Sequence, residues 1–153
     1  MCSCFGMTRK RKLIKTIVMN RIYTVPAQYA TIYQAEMLHK LGARIKSRLI
    51  LVHQNKHMYL YSSAQPTSSR YLTIPNTLEA IATIEKDAKI LEKIKRLHRG
   101  ENGTVWYVLV IIRYGDPNQY RLQARTLAAL ARVYLRFLIT KIKQDVKSQK
   151  TKK

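Results

Sequence analysis

The sequence predicts an α+β protein of two small antiparallel-sheet-plus-helix modules, with an extra N-terminal helix and basic tails. Three observations carry this. Residues 106–112 (WYVLVII) form a β-branched and aromatic run; Gly115-Asp116-Pro117-Asn118 is a turn signal, and residues 120–124 alternate apolar and polar side chains. From Thr126 the period changes to three and four through Leu127, Leu130, Ala131, Tyr134, Leu138 and Ile142, which describes an amphipathic helix with Thr126 as its N-cap. Finally, Thr77-Leu78-Glu79-Ala80 matches Thr126-Leu127-Ala128-Ala129 at an offset of 126 minus 77, or 49 residues, so the sheet-then-helix grammar is read twice. Two unrelated helices sharing a Thr-Leu-x-Ala start are the alternative.

The chain divides into five parts. Residues 1–25 form a basic arm, in which Arg9, Lys10, Arg11 and Lys12 precede Leu13, Ile14, Ile17 and Val18 without any acid. Basic, acid-free and potentially amphipathic, the arm resembles a mitochondrial transit peptide, to be read as an uncleaved one if it directs import; equally, it suits an arm lying on nucleic-acid phosphates. Residues 26–97 are a helix and the first module: Pro26 opens a helix running to about Ala43, with Gly42 near its stop. Strands follow at 48–53, 57–62 and 70–74, then a long helix from Thr77 to Ile94-Lys95. On that helix Glu85, Asp87 and Glu92 can pair with Lys89, Lys93 and Arg96 at three- and four-residue spacings. Residues 98–103 are a Gly-containing linker, 104–145 the second module, and 146–153 a basic tail that alone is disordered.

Charge points to the partner. The 153 residues carry 29 Lys and Arg against 8 Asp and Glu, a formal net charge of +21. A free domain gains nothing from self-repulsion of that size, so a polyanion is the expected counterpart. Before Glu79 the only acid is Glu36, so the first half is almost purely cationic. No run reaches the roughly 20 apolar residues a membrane helix needs. Catalysis has no foothold either: the chain lacks a nucleophile elbow, a phosphate-binding glycine loop and a carboxylate pair suited to acid-base work. Cys2 and Cys4 lack a second ligand pair, and His53 with His57 lacks a third ligand, so neither a metal nor a cofactor is expected.

Basic residues interleaved with aromatics mark the expected contact surface. Tyr59, Tyr61, Tyr71, Trp106, Tyr107, Tyr114 and Tyr120 can stack on bases, and the phosphate-binding candidates are Arg9, Lys10, Arg11, Lys12, Lys46, Arg48, Lys56, Arg70, Arg113, Arg121 and Arg125. The helix after Thr126 is apolar nearly all round, so Leu135 and Ile139 are expected to face a protein neighbour.

Trp106, Val108, Ile112 and Arg113 on one strand, Tyr120-Arg121-Leu122 on the next, and Ala128, Ala129, Ala131 and Tyr134 on the helix resemble the Apetala-type (ethylene-response-factor) DNA-binding domain and its integrase-arm relatives. The resemblance implies a sheet face that meets nucleic acid through Arg113, Arg121 and Arg125, with a first strand shrunk to residues 99–103. Residues 27–97 also follow the helix, three-strand, helix order of a double-stranded-RNA-binding domain. The expectation is a non-enzymatic, structural RNA-binding component of a ribonucleoprotein, a mitochondrial ribosomal protein in particular, contacting rRNA and neighbouring proteins, with no small-molecule substrate. The alternative is a nuclear, sequence-specific DNA-binding regulator of the Apetala type.

Overall fold

The computed structural model describes residues 12–18, 25–54, 57–62 and 71–151, with side chains described for 25–52 and 71–151. The fold is α+β, built on two antiparallel sheets of four and three strands. The chain divides into two compact units, Met1–Asn76 and Thr77–Lys153.

The first unit contains β1 (Lys12–Val18), α1 (Ile32–Lys40), β2 (Leu49–Gln54), β3 (His57–Ser62) and β4 (Tyr71–Thr73), with strand order β1-β3-β2-β4. Part of the expected basic arm is therefore a strand, β1, paired antiparallel with β3. The chain does not meander: β4 returns to β2 instead of continuing from β3. Helix α1 starts six residues later than Pro26 because Thr31 and Gln34 form a capping box. The Thr31 hydroxyl accepts from Gln34 N–H, and the Gln34 side chain accepts from Thr31 N–H. Its other end is a Schellman motif, in which Gly42 at φ 82° lets Gly42 N–H reach His39 O and Ala43 N–H reach Leu38 O. The helix packs through Ala35 onto a core of Val25, Leu49, Leu51 and Ile74.

The second unit runs α2 (Thr77–Ile84), a 3₁₀ turn (Glu85–Ala88), β5 (Ile90–Arg99), β6 (Val105–Arg113), β7 (Gln119–Ala124) and α3 (Leu127–Thr151). Its sheet is a plain β5-β6-β7 meander. The long helix expected from Thr77 to Lys95 is thus overturned: it stops at Ile84, Lys89 takes a left-handed conformation at φ 56°, and the chain leaves as β5. Ile90, Leu91, Ile94 and Leu97 have helical spacing, yet as a strand they leave Leu91 67% and Leu97 54% exposed. Pairing wins because β6 needs a second neighbour for the backbone groups along its β5 edge. The presumed linker at 98–103 is the tip of this hairpin, turned by Asn102 and by Gly103 at φ 81°. Both Thr-Leu-x-Ala helices lie in this one unit and pack on each other, so they are not the helices of two modules.

Thr126 caps α3 as expected, its hydroxyl accepting from Ala129 N–H. The helix then runs through the tail to Thr151, because residues 144–151 contain no Gly or Pro to stop it. One side of α3 lies on β6 and β7, and α2 and the 3₁₀ turn also pack along it. Leu135 (0% exposed) and Ile139 (5%) are therefore core residues, not a face for a neighbour. Leu135→Ala should cost roughly 2–5 kcal/mol, as a buried leucine losing contacts and leaving a cavity does. Denaturant unfolding of the variant, compared with Leu127→Ala at the exposed helix start, measures it.

Candidate nucleic-acid interface

Strand pairing sorts the second sheet into two faces. Tyr107, Leu109, Ile111 and Arg113 of β6 are in register with Leu97, Lys95, Lys93 and Ile90 of β5, and the first three also with Ala124, Leu122 and Tyr120 of β7. This is the face under α3. It carries the ring contact of Tyr120 with Phe137, at 5.0 Å between centroids, and the ion pair of Arg113 with Asp145.

Arg113 is the main correction to the expected site. Only 8% exposed, it donates from Nε to Ala88 O at 2.8 Å and from Nη2 to Asp145 at 2.6 Å, with Asp116 3.8 Å from Nη1. It holds the 3₁₀ turn, β6 and α3 together, and its burial beneath α3 takes it off the surface a phosphate would meet. The sequence could not show this, because Arg113 ends an apolar strand beside the equally basic Arg121 and Arg125.

A second polar cluster lies nearby. Glu85 accepts from Lys93 and from the Tyr134 hydroxyl, each at 2.6 Å. The expected Glu85 pairing at helical spacing is thus replaced by one eight residues away, made possible by β5 folding back. Burial works against the Glu85 carboxylate, but the two donors and the Lys93 charge outweigh it and hold its pKa below the ordinary 4.5. Burial and the adjoining carboxylate push the Tyr134 hydroxyl up, so it remains a donor. Asp116 is likewise held low, first by the Tyr120 hydroxyl and then by Asn118 N–H.

The opposite face of the sheet bears no helix of its unit. Its central row on β6 is Trp106, Val108, Val110 and Ile112; alongside run His98, Arg96, Ile94 and Glu92 on β5, and Gln123, Arg121 and Gln119 on β7. Arg125, just past β7, lies over the Trp106 ring with its guanidinium carbon 5.2 Å from the centroid. The central row is apolar, with Val108 buried and Trp106, Val110 and Ile112 half-buried, and the rows beside it are polar except at Ile94. Arg96, His98, Arg121 and Arg125 are exposed, Trp106 is half-buried, and Glu92 is the one carboxylate among these positions. At about 4.8 Å per strand, the flanking rows lie roughly 10 Å apart.

Arg121 and Arg125 are therefore brought together on one surface, and Arg96 and His98 join them. Arg96 is hidden by the helical reading, which carries on past Lys95 to it, and His98 by the reading of 98–103 as a linker. The Asn102-Gly103 hairpin signal, with Leu97 before it and Val105 after it, could have disclosed them. Lys46 and Arg48 are exposed in the α1–β2 connection of the other unit. Arg9, Lys10, Arg11, Lys56 and Arg70 lie outside the described residues, as do the side chains of Lys12, His53 and His57; Lys12 is placed by its backbone alone, opposite Ser62. Among the described residues no helix is long and apolar enough to cross a membrane. No protein-family model, curated protein or solved structure is significantly similar to the chain.

Two outcomes test this division of labour. Arg113→Ala should destabilise the protein by roughly 1.5–3 kcal/mol, since a charge-assisted bond is lost and Asp145 is left without it; thermal and denaturant unfolding read this. Because the folded-state pKa of Glu85 is depressed, its contribution is present above about pH 4.5 and is lost as pH falls through and below that value. Glu85→Gln should accordingly lower stability near neutrality and flatten its acid decline, seen in urea midpoints across the pH range.

Proposed function

We propose that the protein binds structured RNA through the helix-free face of the β5-β6-β7 sheet, as a constituent of a ribonucleoprotein particle. The single observation that carries the proposal is the clustering of Arg96, His98, Arg121 and Arg125 around Trp106 on a face with one carboxylate. Guanidinium groups hold phosphates, and a half-buried indole in that cluster offers a ring for unpaired bases in RNA loops to stack on. Charge distribution supports an enveloping partner. The first unit has 12 Lys and Arg against Glu36, and the second 17 against 7 acids, so the units carry +11 and +10. A polyanion met on one face alone would leave half of that repulsion in place. The particle favoured by the acid-free N-terminus is a mitochondrial ribosome, where the protein would serve as a structural element and not as an enzyme.

A second reading is duplex DNA bound by the same face, as the Apetala-type resemblance implies, in a nuclear regulator. One observation favours it: β5 supplies the strand that the sequence resemblance leaves shrunk, and Gln119, Arg121 and Gln123 alternate along β7, amide and guanidinium groups suited to base edges.

Replacing Arg96, Arg121 or Arg125 by Ala should flatten the slope of log affinity against log salt by roughly 0.7–0.9 per lost contact, whereas exposed Lys150→Ala on the last turn of α3 should not. Trp106→Ala should weaken binding to single-stranded loops by roughly 1–3 kcal/mol. Sedimentation of the tagged protein with and without ribonuclease checks the particle. Recovery of one sharp duplex motif from a random pool would decide for DNA instead.

A further inference from the structure

We propose that the free edge of β4, in the first unit, docks an extended acidic peptide that joins the four-stranded sheet as a fifth strand. The order β1-β3-β2-β4 makes β4 an edge. Its pairing with β2 fixes which backbone groups are free. Ile74 N–H donates to Leu49 O across a directly opposed pair, and the register continues as Ile50 with Thr73, Leu51 with Leu72 and Val52 with Tyr71. Hydrogen-bonded and non-bonded pairs alternate in an antiparallel ladder, so Leu72 bonds to β2, while the N–H and C=O groups of Tyr71 and Thr73 point away from it. Among the described residues they meet no backbone partner, although two residues further on the same outward side is taken, Pro75 O accepting from Ala30 N–H, so the open stretch is Tyr71 to Thr73.

Those groups border a cleft of about 780 Å³ between β4, the end of α1 and the loop after it. The volume is in the range of ligand-binding clefts, roughly 300–1,000 Å³. Leu38 and Leu72 give it an apolar wall; among the described residues that line it, His39, Arg44 and Lys46 are the ionisable side chains besides Tyr71, and none is a carboxylate. The α1 carbonyls of Leu38 and His39 are already satisfied by Ala43 and Gly42, so the side-chain cations set the local charge. The occupant is therefore anionic. A phosphate would satisfy the two N–H groups but face two carbonyl oxygens; a peptide strand satisfies both kinds, and acidic side chains at alternate positions reach Arg44 and Lys46. An acidic protein segment fits this cleft better than nucleic acid does. The inference stands apart from the sheet face of the second unit and from what binds there.

The test uses the full chain and a fluorescein-labelled peptide of alternating Glu and Val, with a Lys-Val peptide and oligouridylate as controls. Thr73→Pro removes a donor that faces the cleft and spares the ladder to β2, a position where an edge strand accepts proline. It should weaken Glu-Val binding about tenfold while leaving oligouridylate binding unchanged. The double variant Arg44→Glu/Lys46→Glu should weaken it at least as much. On the wild-type chain the peptide should slow hydrogen exchange of the Tyr71 and Thr73 amides without changing Leu72. If the proline variant melts early, that exchange measurement decides alone. Unchanged Tyr71 and Thr73 exchange, equal protection by the Lys-Val peptide, or protection by oligouridylate instead would overturn the proposal.

Discussion

The second unit depends on one buried guanidinium. Arg113 ends β6 under α3, and a charge placed there is tolerable only when paired and hydrogen-bonded. Its partners come from three different places in the chain: Ala88 at the end of the 3₁₀ turn, Asp116 in the β6–β7 turn, and Asp145 five turns along α3. Satisfying one residue therefore fixes where the chain must leave α2, where β6 must turn and how α3 lies on the sheet. Glu85 with Lys93 and Tyr134 makes a second such tie. Between them the two clusters hold the first strand of the sheet to the helix that covers it.

That inward use of charge decides what the outer face can do. With Arg113 and Lys93 engaged below α3, the cations on the other side of the sheet are Arg96, Arg121 and Arg125, with His98 beside them. Strand alternation aims them away from the helix, and the apolar row of β6 lies between them. Burial explains the sorting, since a guanidinium with a carboxylate partner can sit beneath a helix and one without must stay in contact with water or a polyanion.

The candidate surface was only partly legible in the sequence. Arg121 and Arg125 were found because they flank an alternating strand near a tryptophan. Arg113 was misplaced, because its carboxylate partner Asp145 lies 32 residues away and no spacing rule reaches that far. Arg96 is missed because Ile90, Leu91, Ile94 and Leu97 have helical spacing, and His98 because the glycines after it read as a linker. Leu135 and Ile139 were assigned to a neighbour because a helix that is apolar all round needs two covers, and the second cover, α2, had been placed in another module.

By itself the sequence determined the α+β class, strands β2, β3, β6 and β7 to within one residue at most ends, the Thr126 cap of α3, and a net charge of +21. These depend on local periodicity, turn chemistry and composition, which are properties of neighbouring residues. Only the tertiary structure decided that residues 90–99 are a strand, that both Thr-Leu-x-Ala helices belong to one unit, that β4 returns to β2, and which arginine is buried. Each of those turns on hydrogen bonds or packing between segments far apart in the chain, where a competing local preference is overruled by the cost of leaving strand edges and buried charges without partners.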